Sequence, residues 1–175
     1  LNTLYTTDNS MYEADSSSDG FEWVDNYNAE LTVYSYARYS SDNDMDIVAV
    51  NFTPVERKAY ELNVPKAGKY KLVFNSDNEE YGGDGKVEAV VVKSAVEADS
   101  NDRYKMFVDI PASAMVVYKY EPYTDIEIKE IQIKNEAKAA KVEAEKRVDL
   151  ARELADKAEE EAVRAANAEK EAKES

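Results

Sequence analysis

The chain has 175 residues and a mass of 19.7 kDa, room for one ordinary domain with an appendage or for two very small ones. Its 37 acidic residues against 22 basic give a formal charge of -15, which repels nucleic-acid phosphates and anionic lipid and so excludes both as expected partners. It contains neither cysteine nor histidine, which excludes disulfides, thiolate or imidazole metal sites, and the Ser-His and Cys-His nucleophile systems; no cofactor or metal is expected.

In chain order, residues 1–20 read as a lead-in segment, with Leu1, Leu4 and Tyr5 at helical spacing and a turn over Ser16 to Gly20. From Phe21 to Tyr120, short apolar or alternating runs are separated by turn residues, the signature of an antiparallel all-β domain. Leu31 to Arg38 alternates, with Leu31, Val33, Ser35 and Ala37 on one face and Thr32, Tyr34, Tyr36 and Arg38 on the other. Ile47 to Phe52 is almost continuously apolar, which predicts a central strand covered on both faces. Tyr60 to Val64 stops at Pro65, and Lys69 to Asn75 follows, with Tyr70, Leu72 and Phe74 expected on one side. Gly82, Gly83 and Gly85 predict an irregular loop. Lys86 to Val92, Tyr104 to Ile110 and Ala114 to Tyr120 complete the strands, which two packed sheets over 21–121 would use.

Composition changes abruptly after this. Every aromatic residue lies at or before Tyr123, whereas alanine accumulates between Ala137 and Ala172. Ile126, Ile128, Ile131 and Ile133 read as an extended, interrupted connector over 122–134, although the first two or three could begin a helix. Residues 135–175 contain neither glycine nor proline and are almost all strong helix formers, predicting one long charged helix. Within it Ala144, Val148, Ala151, Ala155, Ala158, Ala162 and Ala165 follow a heptad seam flanked by Leu150 and Leu154. That seam suits self-association or a partner helix; alanine buries little surface, so a solvated single helix is the competing reading.

Several separated motifs then acquire a common meaning. They are Met11-Tyr12-Glu13, Gly20-Phe21-Glu22-Trp23-Val24-Asp25, and Val50-Asn51-Phe52-Thr53-Pro54-Val55 with Arg57 and Tyr60 behind it. Val64-Pro65, Gly68 and Tyr70 follow, then Asn75-Ser76-Asp77 with Tyr81-Gly82-Gly83, and finally Ile110-Pro111. In order and spacing over roughly residues 1–120, the chain resembles the C-terminal all-β domain of bacterial 1,4-α-glucan (glycogen) branching enzymes, in the α-amylase superfamily. The tail from Tyr123 onward has no counterpart in that pattern.

The resemblance implies an antiparallel β-sandwich packed on a catalytic (β/α)8 barrel, stabilising it and helping to hold long glucan chains. Branching in the family runs on the barrel, with an aspartate nucleophile, a glutamate acid/base and a stabilising aspartate. None of those motifs occurs here, and a barrel needs about 250 residues. The expectation is a C-terminal piece without catalytic residues, whose partners are the parent's barrel and, as a second possibility, α-glucan. The absence of a basic-then-apolar leader and of cysteine fits a cytoplasmic setting.

Three aromatic residues stand out as candidates for the barrel interface or for glucan. Phe21 and Trp23, one residue apart, would face the same side, whether toward the barrel, the sandwich core or a sugar. Tyr81 lies in the glycine loop beside Asp77 and Asp84, though tyrosines commonly fill half-buried sheet faces instead. Tyr34, Tyr36 and Tyr39 cluster under the same two readings.

Other signals have plainer explanations. Asp42, Asp44 and Asp46 alternate like the start of a calcium loop, but Ile47 and Thr53 stand where its glycine and glutamate belong, so a solvated hairpin turn is expected. Asn51-Phe52-Thr53 forms a glycosylation sequon inside a predicted central strand. The three glycines lack the Lys-Ser/Thr that a phosphate loop requires; they are expected to supply positive φ.

Overall fold

The computed structural model describes all residues except 29, 43, 88–91, 96–101 and 175. It divides into two units, residues 1–123 and 124–175. The first is an antiparallel β-sandwich and the second is a single helix.

A helix α1 (Asn2–Thr7) and short 310 turns lead into β1 (Phe21–Asp25), β2 (Val33–Tyr39), β3 (Met45–Asn51), β4 (Arg57–Val64) and β5 (Gly68–Asn75). Among the described residues β6 (Val92–Ala95), β7 (Tyr104–Ile110) and β8 (Met115–Glu121) complete the set. The larger sheet has the order β1-β2-β3-β8-β5-β6, and β4 pairs with β7 in the smaller one. Every pairing is antiparallel. The strand expected over Lys86 to Val92 lies mostly outside the described residues.

The alternation read from β2 is realised. Val33, Ser35 and Ala37 are buried on the inner face, beside Met45, Ile47 and Ala49 of β3 and Val116 and Tyr118 of β8. Tyr60, Leu62 and Val64 of β4 meet them from the second sheet, with Met106, Val108 and Ile110 of β7. Each such aliphatic side chain contributes about 1.5–3 kcal/mol by leaving water. Val48 and Asp46 are buried as well, so β3 is covered on both faces.

The structure corrects the face assigned to Phe74. A bulge between Leu72 and Phe74 shifts the β5 register, so Leu72 pairs with core-facing Tyr118 whereas Phe74 pairs with Val117. One extra residue in a strand reverses every later side chain, so Phe74 leaves the side of Tyr70 and Leu72 and joins the outer face.

Residues 126–133 are helical rather than extended, because α2 runs Asp125–Glu174. Its start is fixed by a capping box. The Thr124 hydroxyl accepts from the Glu127 backbone N–H at 3.3 Å, while the Glu127 carboxylate accepts from the Thr124 backbone N–H at 2.8 Å. With those amides satisfied, the isoleucines from Ile126 to Ile133 join the helix ahead of the alanine-rich segment.

Candidate functional site

The outer face of the six-stranded sheet is organised by register into rows. Trp23 pairs with Tyr36, Tyr36 with Val48, Val48 with Val117, and Val117 with Phe74, giving an apolar row from β1 to β5. Alongside it run Tyr34, Val50 and Met115. On the other side Phe21, Arg38, Asp46, Lys119 and Lys71 form a mostly charged row.

At the β1 end the rings make one connected cluster. Phe21 meets Trp23 edge-on at 5.0 Å between centroids and Trp23 meets Tyr36 edge-on at 6.1 Å, whereas Phe21 lies tilted by 30° against Tyr36 at 5.2 Å. The cluster continues from Trp23 to Tyr34 at 6.5 Å and from Tyr34 to Phe52 at 5.9 Å. Such edge-to-face contacts stabilise beyond area burial. Neither Phe21 nor Trp23 belongs to the sandwich core. Trp23 is 47% exposed and Phe52 is 65% exposed. Burial raises the Tyr36 hydroxyl pKa, so this residue stays a neutral donor and acceptor at neutral pH.

Tyr81 occupies the far end of the apolar row. It is 54% exposed and lies against Phe74, with 5.6 Å between ring centroids, in a shallow groove shared with Asn75 and Asn78. Its loop is built around Asp77. The Asp77 carboxylate accepts from the backbone N–H groups of Asp84 at 3.1 Å and Lys86 at 3.3 Å, and its carbonyl accepts from Gly85 at 2.7 Å. Gly82 and Gly85 have φ of 84° and 65°, whereas Gly83 is required sterically: a Cβ there would lie 2.3 Å from the Asp77 backbone. The structure thus places Phe21 and Trp23 in one cluster and Tyr81 on the same sheet face, beyond Val48 and Val117.

The lead-in segment latches onto the charged row. Arg38 pairs with the Asp15 carboxylate and also donates to the Met11 carbonyl at 3.2 Å; Glu13 accepts from the Ser41 N–H and hydroxyl at 3.1 and 2.7 Å. Lys119 donates to Asp8 at 2.6 Å, and Ser10 bonds the carboxylates of both Asp8 and Asp46. Burial pushes the Asp46 carboxyl up to about 6, despite the Ser10 hydrogen bond. Asp8 moves down: burial opposes this, but the bonds from Lys119 and Ser10 outweigh it.

Of the three alternating aspartates, Asp42 and Asp44 are exposed as a turn predicts, but Asp46 is fully buried in β3. The lead-in segment covers it, a contact no local pattern announces. Asn51 is used inside the fold. Its amide donates to Val55 O and Pro111 O at 2.8 and 2.9 Å, and its oxygen accepts from the Thr53 N–H and hydroxyl.

Sequence reasoning missed Phe52 and Phe74 as members of the face. Phe52 directly follows β3, where alternation ends, and the bulge hid Phe74. Among the described residues no group of three or more Asp, Glu, His or Cys side chains could hold a metal ion, and no helix is long and apolar enough to cross a membrane.

Comparison with known proteins adds the family context. Residues 23–121 match the family model described as alpha amylase, C-terminal all-beta domain. The 1,4-alpha-glucan branching enzyme GlgB of Francisella tularensis subsp. mediasiatica (strain FSC147) is 38% identical over 120 residues, covering 68% of this chain and 19% of that protein. The enzyme of the same name from Halothermothrix orenii is 33% identical over 120 residues, with the same shares. Among solved structures, the crystal structure of alpha-amylase from H. orenii aligns with 67% of this chain and 18% of that one, at 19% identity and a TM-score of 0.39. The chain therefore spans 19% of the length of these curated relatives.

Proposed function

The chain belongs to the alpha-amylase C-terminal all-beta domain family, and from that premise we propose that it serves as the C-terminal sandwich of a cytoplasmic 1,4-α-glucan branching enzyme, bracing the catalytic barrel through the outer aromatic face. The relatives carry the branching-enzyme name and match 120 residues, 68% of this chain. In the whole protein the barrel would cleave an α-1,4 linkage with retention and pass the glucan to a 6-hydroxyl. This chain supplies support, with residues 1–20 as part of the domain.

One observation carries the reading: Phe21, Trp23, Tyr34, Tyr36 and Phe52 form a connected ring cluster outside the core, with Trp23 and Phe52 extensively exposed. Aromatic groups clustered this way on a sheet face suit a protein interface, whose centre is enriched in such residues. The latched lead-in segment holds the neighbouring charged row, leaving the aromatic end as the contact.

Autonomous glucan binding is the second reading, favoured by the exposed faces of Trp23 and Tyr81, since sugar C–H faces stack on such rings. Cosedimentation of the chain with glycogen separates the two. The barrel-docking reading expects the chain in the supernatant. Retention that disappears on Trp23→Ala would replace it with the glucan-binding reading.

A further inference from the structure

Helix α2 carries exposed apolar side chains along its length, Val148 at 55% and Leu154 at 59% exposure among them. Its heptad positions are Lys141, Val148, Ala155 and Ala162 in one seam column, and Ala137, Ala144, Ala151 and Ala158 in the other. Laid against an antiparallel copy with Val148 opposite Ala151, the seam maps onto itself. Ala144 then meets Ala155, Lys141 meets Ala158, and Ala137 meets Ala162.

Charge selects the occupant and its direction. The row following the second column is Lys138, Glu145, Arg152 and Glu159, alternating in sign. In the antiparallel register this row faces its own copy, so Glu145 lies beside Arg152 of the second chain and Lys138 beside Glu159, each twice by symmetry. Every contact in the row is attractive. A parallel pair instead sets Arg147 against Arg152 across the seam and brings no acid beside a base between the flanking rows.

We propose that α2 is a self-pairing helix, joining two copies of this chain antiparallel about a twofold axis between Asp149 and Leu150. Alanine at most seam positions lets the axes approach to about 8 Å while burying little area per layer. The pair is accordingly reversible and weakened by salt. The starts of the two α2 helices lie about 70 Å apart, at opposite ends of the pair. The inference is independent of what the β-sandwich docks on.

The test is sedimentation equilibrium of the full chain at low salt. The expected result is a monomer–dimer equilibrium whose dissociation constant rises about tenfold or more in Glu145→Arg and recovers in the Glu145→Arg, Arg152→Glu double variant. Helix content by circular dichroism controls for folding. Because the chain has no cysteine, direction can be read separately: Ala144→Cys and Ala155→Cys chains should form a disulfide with each other and not with themselves. A monomer at every concentration, a dimer indifferent to Glu145→Arg, or Ala144→Cys chains crosslinked to themselves would overturn the proposal.

Discussion

The Ser10 hydroxyl sits between Asp8 and Asp46 and hydrogen bonds both, tying the lead-in segment to the centre of the six-stranded sheet. One hydroxyl has one proton to give. While it donates to one carboxylate, it can bond the other only by accepting from that group's protonated form. Lys119 holds Asp8 ionised, so Asp46, fully buried, is the member that takes up a proton.

Stability should carry this signature. Asp46 has its folded pKa raised to about 6, so its contribution is present in acid and is lost as pH rises through that value. Asp8, shifted down, contributes in the opposite sense and loses its share as pH falls. Between about pH 4 and about pH 7, Asp46→Asn should gain on the order of 2 kcal/mol relative to the unsubstituted chain. Urea unfolding at a series of pH values measures it; parallel curves would contradict the assignment.

The Tyr81 loop should depend on Asp77 more than on any exposed residue. Asp77→Ala removes the acceptor of two exposed backbone N–H groups, at a net cost of roughly 0.5–1.5 kcal/mol. Gly83→Ala forces a methyl group into the Asp77 backbone and should be at least as damaging, whereas Tyr81→Ala should change stability little. Thermal unfolding of the three variants checks the loop's construction: Gly83→Ala should fall at least as far as Asp77→Ala, and Tyr81→Ala should stay near the unsubstituted chain.

Much of this was legible in the sequence, for identifiable reasons. The alternation of Val33, Ser35 and Ala37 against Tyr34 and Tyr36 placed β2 correctly because a strand repeats every two residues. Phe74 was misplaced because a bulge breaks that period without a local marker. Asp46 read as a solvated turn residue because its cover comes from Ser10, 36 positions earlier in the chain. Trp23 could be singled out, but its row through Tyr36 to Phe74 exists only once five strands have been set in register. The helix start was the one misreading with a local signal, since Thr124-Asp125-Ile126-Glu127 spells a capping box.

That box makes its own prediction. Thr124→Ala removes the hydroxyl that accepts from Glu127 and should cost about 1 kcal/mol of helix stability, fraying the first turns of α2. Hydrogen exchange at residues 126–131 should accelerate while the β-sandwich amides keep their protection. Unchanged exchange there would mean the cap does not set the helix start.

The outer aromatic face is tested most directly by measuring the effect of Trp23→Ala on thermal unfolding in two settings. One is the isolated chain; the other is a chimera in which the matched 120 residues replace their counterpart in the Francisella tularensis enzyme. Half-exposed Trp23 should matter little alone, and its loss in the chimera should lower the unfolding temperature by several degrees, through about 2 kcal/mol or more of lost interface burial. An equal, small effect in both settings would contradict the face as the contact with the barrel.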